Sequence, residues 1–397
     1  MRNYLIIKNF GPVKDAAIDL KPFLVLIGAQ GTGKSTLAKV LNILNDYVWR
    51  INVLLDRPAV FDSFKTLGIY KYFEEDSYME YCKDGLTICY SSHRFTLTHA
   101  EHADTDSLAR YCTRTWVESL EQTNHNLNFF KEDTVQLSEL VDKYAGILGI
   151  YSNSQLYIPA ERNIIGVLSE SLASMMIANI PLPKPLMYYL SNFEKAKKVY
   201  PTYEVPFLGI EYVSSEHVQG VKVSNGTTEK VLSLSECSSG IQTLVPMLMV
   251  VDFCIQQKLY RSFIVEELEQ NLYPENQLAA LRFLIKKLNQ LDSRQGVVLT
   301  THSPYLLSGI NISLLAGRIA TNEAYQDEVN QILPAHYQLQ PDSVAAYALG
   351  EKDEYCKSII NKQTGTIEQN FLDTASSVTG EEFGKLYKLF IKSIRRN

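Results

Sequence analysis

The feature of this sequence that most restricts its fold is a glycine-rich segment between a predicted strand and a predicted helix. Residues 28–35 read GAQGTGKS and fit the pattern G-x-x-x-x-G-K-[ST]. The apolar run 23–27 before them is typical of a buried strand, and residues 35–44 have helical periodicity. A chance glycine-rich turn rarely has this context. The sequence therefore predicts an α/β core, with a largely parallel sheet and a phosphate-binding loop.

The residue types of this loop suit the phosphates of a nucleotide. Glycines let backbone N–H groups turn inward around a β-phosphate, and the helix N-terminus near Lys34 adds partial positive charge. We expect Lys34 to bridge the β- and γ-phosphates and the Ser35 hydroxyl to hold Mg²⁺, so that ATP and Mg²⁺ are the predicted cofactors. The predicted nucleotide-binding residues are Gly28, Gln30, Gly31, Thr32, Gly33, Lys34, Ser35 and Thr36.

A second group of functional residues is predicted at the end of another buried strand. Residues 263–267 read FIVEE, an apolar run that ends in two carboxylates. We expect Glu266 to steady the Mg²⁺ through water, and Glu267 to orient and deprotonate the attacking water. Adjacent strand residues point to opposite faces, so the two roles require a bend at the strand end. The alternative is an exposed acidic strand terminus without a catalytic role.

Two further segments indicate that the nucleotide is shared between two copies of the chain. Residues 235–242 read SECSSGIQ, and small residues before a predicted helix form a second anion-binding nest. One nucleotide does not require two nests from one chain, so the second is expected to meet a γ-phosphate presented by another copy. Its predicted contact residues are Ser238, Ser239, Gly240 and Gln242. His302 lies near the end of the run 297–303 and is expected to contact the same γ-phosphate, which makes Glu267, Lys34 and His302 the predicted catalytic residues.

Composition and charge limit the location and the partners of the chain. No apolar run approaches the ~20 residues that span a bilayer, and the first residues lack the pattern of a secretory signal. A cytoplasmic location without membrane association is therefore expected. The formal net charge of −6 argues against a surface that binds nucleic acid throughout, but it leaves room for a local basic groove. Nucleic acid consequently stays open as a partner.

Two polar segments have competing interpretations. Residues 99–106 read HAEHADTD and contain five potential metal ligands, although a hydrophilic loop before a helix at 107–114 is the favoured interpretation. The last predicted helix is basic and could contact nucleic acid or an acidic partner, but such a run is more often a solvated helix face. Its basic residues are Lys385, Lys388, Lys392, Arg395 and Arg396.

Taken in order, these segments resemble the ABC-type ATPases of the RecF, SMC and OLD group. The order is GxxxxGKST, SSGIQ, FIVEELEQNLYP and LTTHSPYLL. Within that group the sequence is most similar to the OLD-like ATPases of bacterial anti-phage defence and abortive-infection operons, in which a segment like 157–162, YIPAER, recurs. The resemblance covers residues 1–45 and 150–310, and the later residues only loosely.

The resemblance implies a fold and a division of the chain into regions. The fold class is α/β, an ABC-type P-loop ATPase head with a mixed central sheet, an antiparallel β subdomain and a mainly helical insertion or lid. The head is expected at 1–45 and 150–320, the insertion at 46–149, and a C-terminal extension with the basic helix at 321–397. Within the insertion, residues 78–99 suggest a hairpin that turns at 83–85.

The resemblance also implies how the site is completed. Two heads of a homodimer, or of a higher even-numbered homo-oligomer, would sandwich two ATP molecules, each between a phosphate loop and the partner's Ser238 nest. The family's glutamine between the lobes has two candidates here, Gln155 as a further Mg²⁺ ligand and Glu161. Three positions depart from the family pattern: Leu268 replaces a proline, and Cys237 and Ser239 replace leucine and glycine.

Many OLD proteins carry a C-terminal Toprim nuclease, which requires spaced acidic residues that bind a divalent metal. Fewer than about a hundred residues follow His302, which is short for a further domain of that kind. We therefore expect no nuclease activity in this chain, and a separate effector protein, a nuclease or a toxin, that it controls. The alternative function is a DNA-binding repair or recombination ATPase like RecF or SMC.

Overall fold

The computed structural model describes a mixed α/β protein. It describes residues 2–54, 56–99, 155–168, 182–215, 218–224, 229–260, 262–291, 296–351, 353–368 and 385–386. Several predicted features lie outside these residues: the helix at 107–114, positions 100–106 of the histidine-rich segment, and the basic helix apart from Lys385.

The strands of the described residues are β1 (Tyr4–Phe10), β2 (Val13–Asp19), β3 (Phe23–Gly28), β4 (Phe73–Lys83), β5 (Leu86–Ser91), β6 (Arg94–His99), β7 (Gln155–Ile158), β8 (Thr202–Val205), β9 (Ile210–Ser214), β10 (Gln219–Ser224), β11 (Glu229–Leu232), β12 (Ser262–Glu266), β13 (Gly296–Thr301), β14 (Val344–Leu349) and β15 (Cys356–Ser358). The α-helices are α1 (Lys34–Asn45), α2 (Tyr47–Leu54), α3 (Asp62–Thr66), α4 (Ile165–Leu168), α5 (Lys184–Val199), α6 (Ser239–Gln256), α7 (Pro274–Leu288), α8 (Pro304–Ile319) and α9 (Gln326–Ile332). Short 3₁₀ turns are Pro58–Phe61, Tyr70–Tyr72, Ala160–Ile164, Pro206–Leu208, Leu234–Glu236, Glu323–Tyr325, Ala335–Tyr337 and Pro341–Ser343.

The central sheet has six strands in the order β15-β14-β3-β13-β12-β7. All neighbours pair in parallel except β14 with β15, so the sheet is mixed, as predicted. All six residues of β3 are buried, because helices or an antiparallel sheet cover both of its faces. Its side chains alternate between two hydrophobic cores, with Phe23 and Val25 on the side of α6 and Leu24 and Leu26 on the side of α1.

Two antiparallel sheets flank the central one. The first has the order β2-β1-β4-β5-β6, and the second has the order β11-β10-β9-β8. The hairpin predicted within 78–99 is confirmed, since β4 and β5 pair across a turn at Asp84 and Gly85, both with positive φ. The fold class predicted from the sequence, α/β with antiparallel sheets, is therefore confirmed.

Two predicted region boundaries do not separate structural units. β4 pairs with β1 along most of its length, so the described part of the insertion, 46–99, completes a sheet of the head and contains strands as well as helices. β14 pairs in parallel with β3, so part of the expected extension 321–397 lies in the centre of the main sheet. In both cases strand pairing joins segments that are distant in sequence.

Helix α6 is apolar enough, by length and composition, to cross a membrane. Its mean hydropathy is 1.4 over 18 residues, and 61% of that window is buried inside the protein. Its buried apolar side chains between Leu244 and Cys254 form part of the same core as α5 and α7. The position of α6 is therefore that of a core helix, whose N-terminus presents the predicted second nest.

Candidate functional site

The phosphate loop follows β3 at the carboxyl edge of the central sheet and leads into α1. Gly31 and Gly33 have φ of 80° and 89°, a conformation that glycine adopts without strain. A Cβ at Gly33 would lie 2.7 Å from Val13 Cγ2, and one at Gly28 would lie 2.4 Å from Thr32 Oγ1. The glycines are thus required by the loop's path, which leaves its backbone free to approach a ligand.

The Lys34 side chain reaches back across this loop. Its Nζ donates to the carbonyl oxygens of Gly28 at 2.8 Å and Ala29 at 2.9 Å. Burial lowers the pKa of Lys34 to about 8, while the glutamates of segment 266–269 act in the opposite direction. The amine is therefore a desolvated cation close to three carboxylates.

The other predicted loop residues differ in exposure. Gln30 and Ser35 are exposed, whereas Thr36 is buried in the first turn of α1. The Thr32 hydroxyl donates to the Ala29 carbonyl at 2.8 Å and so closes the loop internally. Of these hydroxyls, only Ser35 is both at the helix start and open to a ligand, in keeping with the metal-binding role predicted for it.

A tyrosine that the sequence did not indicate supports the loop from the opposite end of the chain. The Tyr355 hydroxyl lies 2.6 Å from the carbonyl oxygen of Thr32 and 2.7 Å from that of Pro12. Tyr355 immediately precedes β15, whose partner β14 lies beside β3. No local pattern marks this residue, since 323 positions separate it from Thr32.

The acidic end of β12 has the bend that the two predicted roles require. Glu266 is 5% exposed, and its Oε1 is buried without a hydrogen-bond partner among the described residues. Glu267 follows with a φ of 45°, which is unusual for a residue with a side chain. Its N–H donates to the Thr300 carbonyl of β13 at 3.0 Å, and its side chain is 42% exposed. The two carboxylates therefore have different environments, one buried and one accessible.

His302 lies beside the second of these carboxylates. Its Nε2 is 3.9 Å from Glu267 Oε1. Burial lowers the pKa of His302, and the nearby Lys34 cation lowers it further, so the neutral imidazole is favoured. A neutral imidazole can donate one hydrogen bond and accept another, which suits a contact with a phosphate oxygen or a water molecule.

Glu269 is a third acidic residue at this site. Its Oε1 accepts the backbone N–H of His302 at 2.5 Å, and its Oε2 is buried without a hydrogen-bond partner in the described part of the chain. No role for Glu269 is predicted from the sequence. Its contact with His302 links the ends of β12 and β13, two strands that are adjacent in the sheet but 30 residues apart in sequence.

The second nest is at the N-terminus of α6. Ser238 and Ser239 are exposed, and the Ser238 side chain makes no capping hydrogen bond. A Cβ at Gly240 would lie 2.8 Å from the Asn271 carbonyl oxygen, so the nest packs against the loop that follows β12. The Gln242 amide donates to the carbonyls of Ser235 and Cys237 at 3.1 and 2.8 Å, which makes it a brace of the turn.

The prediction of Gln155 as a metal ligand is wrong. Gln155 begins β7 and pairs in register with Ser262, the first residue of β12, whereas Glu266 is the last. Four residues of strand separate the two ends by about 13 Å. The Gln155 Oε1 instead accepts the Asn45 amide at 3.1 Å. Glu161, the other candidate, is exposed in the 3₁₀ turn after the carboxyl end of β7.

The donor set fits Mg²⁺ bound together with a nucleotide. Among the described ranges, no group of three or more His, Cys, Asp or Glu residues is arranged to hold a metal ion by itself. Mg²⁺ usually takes one or two protein ligands and completes its shell with water and phosphate oxygens. The exposed Ser35 hydroxyl and the unpartnered Oε1 of Glu266 are oxygen donors of that kind.

Comparisons with known proteins point in the same direction for the first part of the chain. Residues 1–180 match the protein family described as AAA ATPase domain. A search of curated proteins gave no match.

Solved structures similar to this chain include three heads of SMC proteins. An SMC head bound to the C-winged helix domain of ScpA has 12% sequence identity and a TM-score of 0.41, over 90% of this chain and 97% of that one. The SMC head domain from Thermotoga maritima has 14% identity and a TM-score of 0.34, over 78% of this chain and 92% of that one. An SMC head with an extended coiled coil, bound to the C-terminal domain of ScpA derived from Pyrococcus furiosus, has 12% sequence identity and a TM-score of 0.34. The match covers 96% of this chain and 98% of that one. By sequence, the first 180 residues, which include the phosphate loop, are thus similar to an ATPase domain.

Proposed function

We propose that this protein is an ABC-type ATPase that hydrolyses ATP at a site shared between two copies of the chain. The observation that carries the proposal is the convergence of four groups at one edge of the central sheet. Lys34 begins α1 after the loop that follows β3, Glu266 ends β12 and Glu267 follows it, and His302 follows β13. In open α/β sheets, ligands bind at the carboxyl ends of the strands, and this edge holds all four groups.

In the proposed reaction, each group acts on a different part of the triphosphate. The Lys34 ammonium and the loop N–H groups bind and orient the β- and γ-phosphates. Ser35 and Glu266 would hold Mg²⁺, which would supply charge neutralisation at the phosphate oxygens. The Glu267 carboxylate accepts a proton from the attacking water, and its exposure leaves it accessible to that water. His302, neutral and 3.9 Å from Glu267, donates a hydrogen bond to the γ-phosphate.

The dimeric part of the proposal is supported by the second nest. Ser238 and Ser239 are exposed at the N-terminus of an 18-residue helix, and the Ser238 hydroxyl is not used as a cap. A helix N-terminus of this kind favours an anion. In the proposed dimer, the γ-phosphate held by Lys34 of one copy meets the Ser238 nest of the other. Hydrolysis removes that phosphate and loosens the pair, so the nucleotide works as a timed clamp.

For the output of the clamp, we propose control of a separate effector protein, a nuclease or toxin, in bacterial anti-phage defence, within the cytoplasm. The support is the likeness of the motif order and of residues 157–162 to OLD-like ATPases. The alternative output is binding of duplex DNA in repair or recombination. Duplex binding that requires ATP and falls steeply with salt would favour the alternative. Co-purification with the product of a neighbouring gene would favour the effector.

The ATPase proposal is tested by the Glu267→Gln variant. The amide keeps the size of the side chain but cannot take a proton, so turnover is expected to fall by at least about a hundredfold, within the range of general-base contributions. ATP binding should persist, and the variant should sediment as a dimer in ATP and as a monomer without it. Turnover at the wild-type rate would remove Glu267 from the role of base.

A further inference from the structure

An arginine that the reaction scheme leaves unused is completely buried beneath the catalytic carboxylates. Arg162 has a relative exposure of 0% and lies in the 3₁₀ turn Ala160–Ile164 after β7. β7 pairs in parallel with β12, so this turn and the end of β12 lie side by side. A fully buried guanidinium is rare and requires partners for its N–H groups.

The partners of Arg162 are carbonyl oxygens of the bend that carries Glu267. Its Nη1 donates to the Glu266 carbonyl at 2.5 Å and to the Pro159 carbonyl at 3.1 Å. Its Nη2 donates to the Glu267 carbonyl at 2.7 Å and approaches the Leu268 carbonyl at 3.5 Å. Three consecutive carbonyls thus face one guanidinium, an arrangement that an extended strand cannot adopt because its carbonyls alternate in direction.

The same bend contains unfavourable backbone geometry. Glu267 has a φ of 45°, in the left-handed region where a side chain costs energy that glycine would not cost. Such a conformation persists only where the surroundings hold it. The Glu267 peptide is held on both sides, since its N–H donates to Thr300 and its carbonyl accepts from Arg162.

We propose that Arg162 is a positioning residue that holds the Glu267 backbone in its strained conformation, and thereby aims the carboxylate towards His302 and the phosphate loop. This inference rests on the proposed function of Glu267 as base. The planar fork of a guanidinium can bind two adjacent carbonyls at once, whereas a lysine ammonium is a point donor on a flexible stem. Charge alone therefore does not replace Arg162.

The test compares Arg162→Lys with Arg50→Lys, a matched change at a second buried arginine. Arg50 is 4% exposed and donates to the Leu44 carbonyl at 2.6 Å and the Tyr81 hydroxyl at 3.2 Å. Within the described part of the chain, neither of these hydrogen bonds reaches the bend after β12. Both variants should lose thermal stability, because each removes a buried fork of hydrogen bonds. Turnover at saturating ATP and ATP affinity are then measured on the folded proteins.

We expect Arg162→Lys to reduce kcat between ten- and a hundredfold with ATP affinity changed less than about threefold, because a small displacement of a catalytic group is that costly. Arg50→Lys should keep kcat within about twofold of wild type, since it acts on stability only. An unchanged kcat in Arg162→Lys would overturn the proposal. Equal losses of kcat in the two variants would also overturn it, because they would indicate a general structural effect.

A double-mutant cycle separates action through Glu267 from action elsewhere. If Arg162 works by positioning Glu267, Arg162→Lys should reduce residual turnover less than twofold when Glu267 is already Gln. Full additivity of the two losses would contradict the proposal.

A stability measurement tests the inference even if the wild-type protein does not hydrolyse ATP. Glu267→Gly should unfold at a higher urea concentration than Glu267→Ala, because glycine relieves the positive φ. That difference should shrink when Arg162 is Lys, because the bend is then free to relax. An equal difference in both backgrounds would overturn the positioning role, whereas a wild-type protein without turnover would overturn only the proposed ATPase function.

Discussion

At the residue scale, the site combines ionisable groups whose properties depend on burial. Lys34 is 6% exposed and His302 is partly buried, and burial is the largest cause of the lowered pKa in both. Both shifts act on positive charge close to an expected triphosphate. The protein therefore carries a cation that is desolvated in advance, and whose attraction to phosphate is stronger than it would be in water.

The pKa of Lys34 predicts how ATP binding depends on pH. With the pKa at about 8, the free protein loses the Lys34 proton above pH 8, whereas a bound triphosphate favours the charged form. Binding above pH 8 must then take up a proton, so the affinity for ATP should fall by up to about tenfold per pH unit. Titration calorimetry from pH 7 to 10 measures this change in affinity. Lys34→Met should bind more weakly, with a flat profile, and an equally steep profile in that variant would contradict the assignment.

The same pKa makes a prediction for stability. The folded-state pKa of Lys34 is below its ordinary value of 10.5, so between pH 8 and 10.5 the unfolded chain binds more protons than the folded one. Stability should therefore rise with pH through this window as far as Lys34 contributes. Urea unfolding at several pH values, compared with Lys34→Met, measures this contribution. A fall in the difference between the two proteins over the window would contradict the sign.

At the scale of elements, the site depends on contacts between strand ends and loops that come from distant parts of the sequence. The phosphate loop could be predicted because its strand, glycines and helix start are contiguous. The roles of three other residues, Glu269, Arg162 and Tyr355, could not be predicted. Each of them acts through a neighbouring strand of the sheet, and no local sequence pattern indicates the order of those strands. Gln155 was misassigned for the same reason, because motif order does not indicate which end of β7 faces the loop.

Tyr355 offers a test of how an element supports the phosphate loop. Tyr355→Phe removes the hydroxyl beside the Thr32 carbonyl and should cost about 1 kcal/mol of stability, and weaken ATP binding because the loop is less restrained. Tyr347→Phe is the matched control. The Tyr347 hydroxyl accepts a hydrogen bond from the Asp19 N–H at 2.8 Å, and this contact lies away from the phosphate loop. We expect a similar loss of stability there with unchanged ATP affinity. Equal affinities in the two variants would show that Tyr355 has no role in the loop.

At the scale of the whole molecule, the central sheet is assembled from all parts of the chain. β3 from the first thirty residues lies between β14, from beyond residue 340, and β13. The fold class could be predicted because hydrophobic periodicity reports which segments are strands. Periodicity does not report which strands are neighbours, so the pairing of β4 with β1 and of β14 with β3 could not be predicted.

The central claim is that each ATP is held by Lys34 of one copy and the Ser238 nest of another, and a mixing experiment tests it most directly. Lys34→Met and Ser238→Arg should each be inactive alone. A mixed dimer of the two variants has one site with both defects and one with neither, so an equal mixture should recover about a quarter of the wild-type activity. Recovery at that level would be the result predicted by a shared site. A mixture as inactive as its components, or full activity of Ser238→Arg alone, would contradict it.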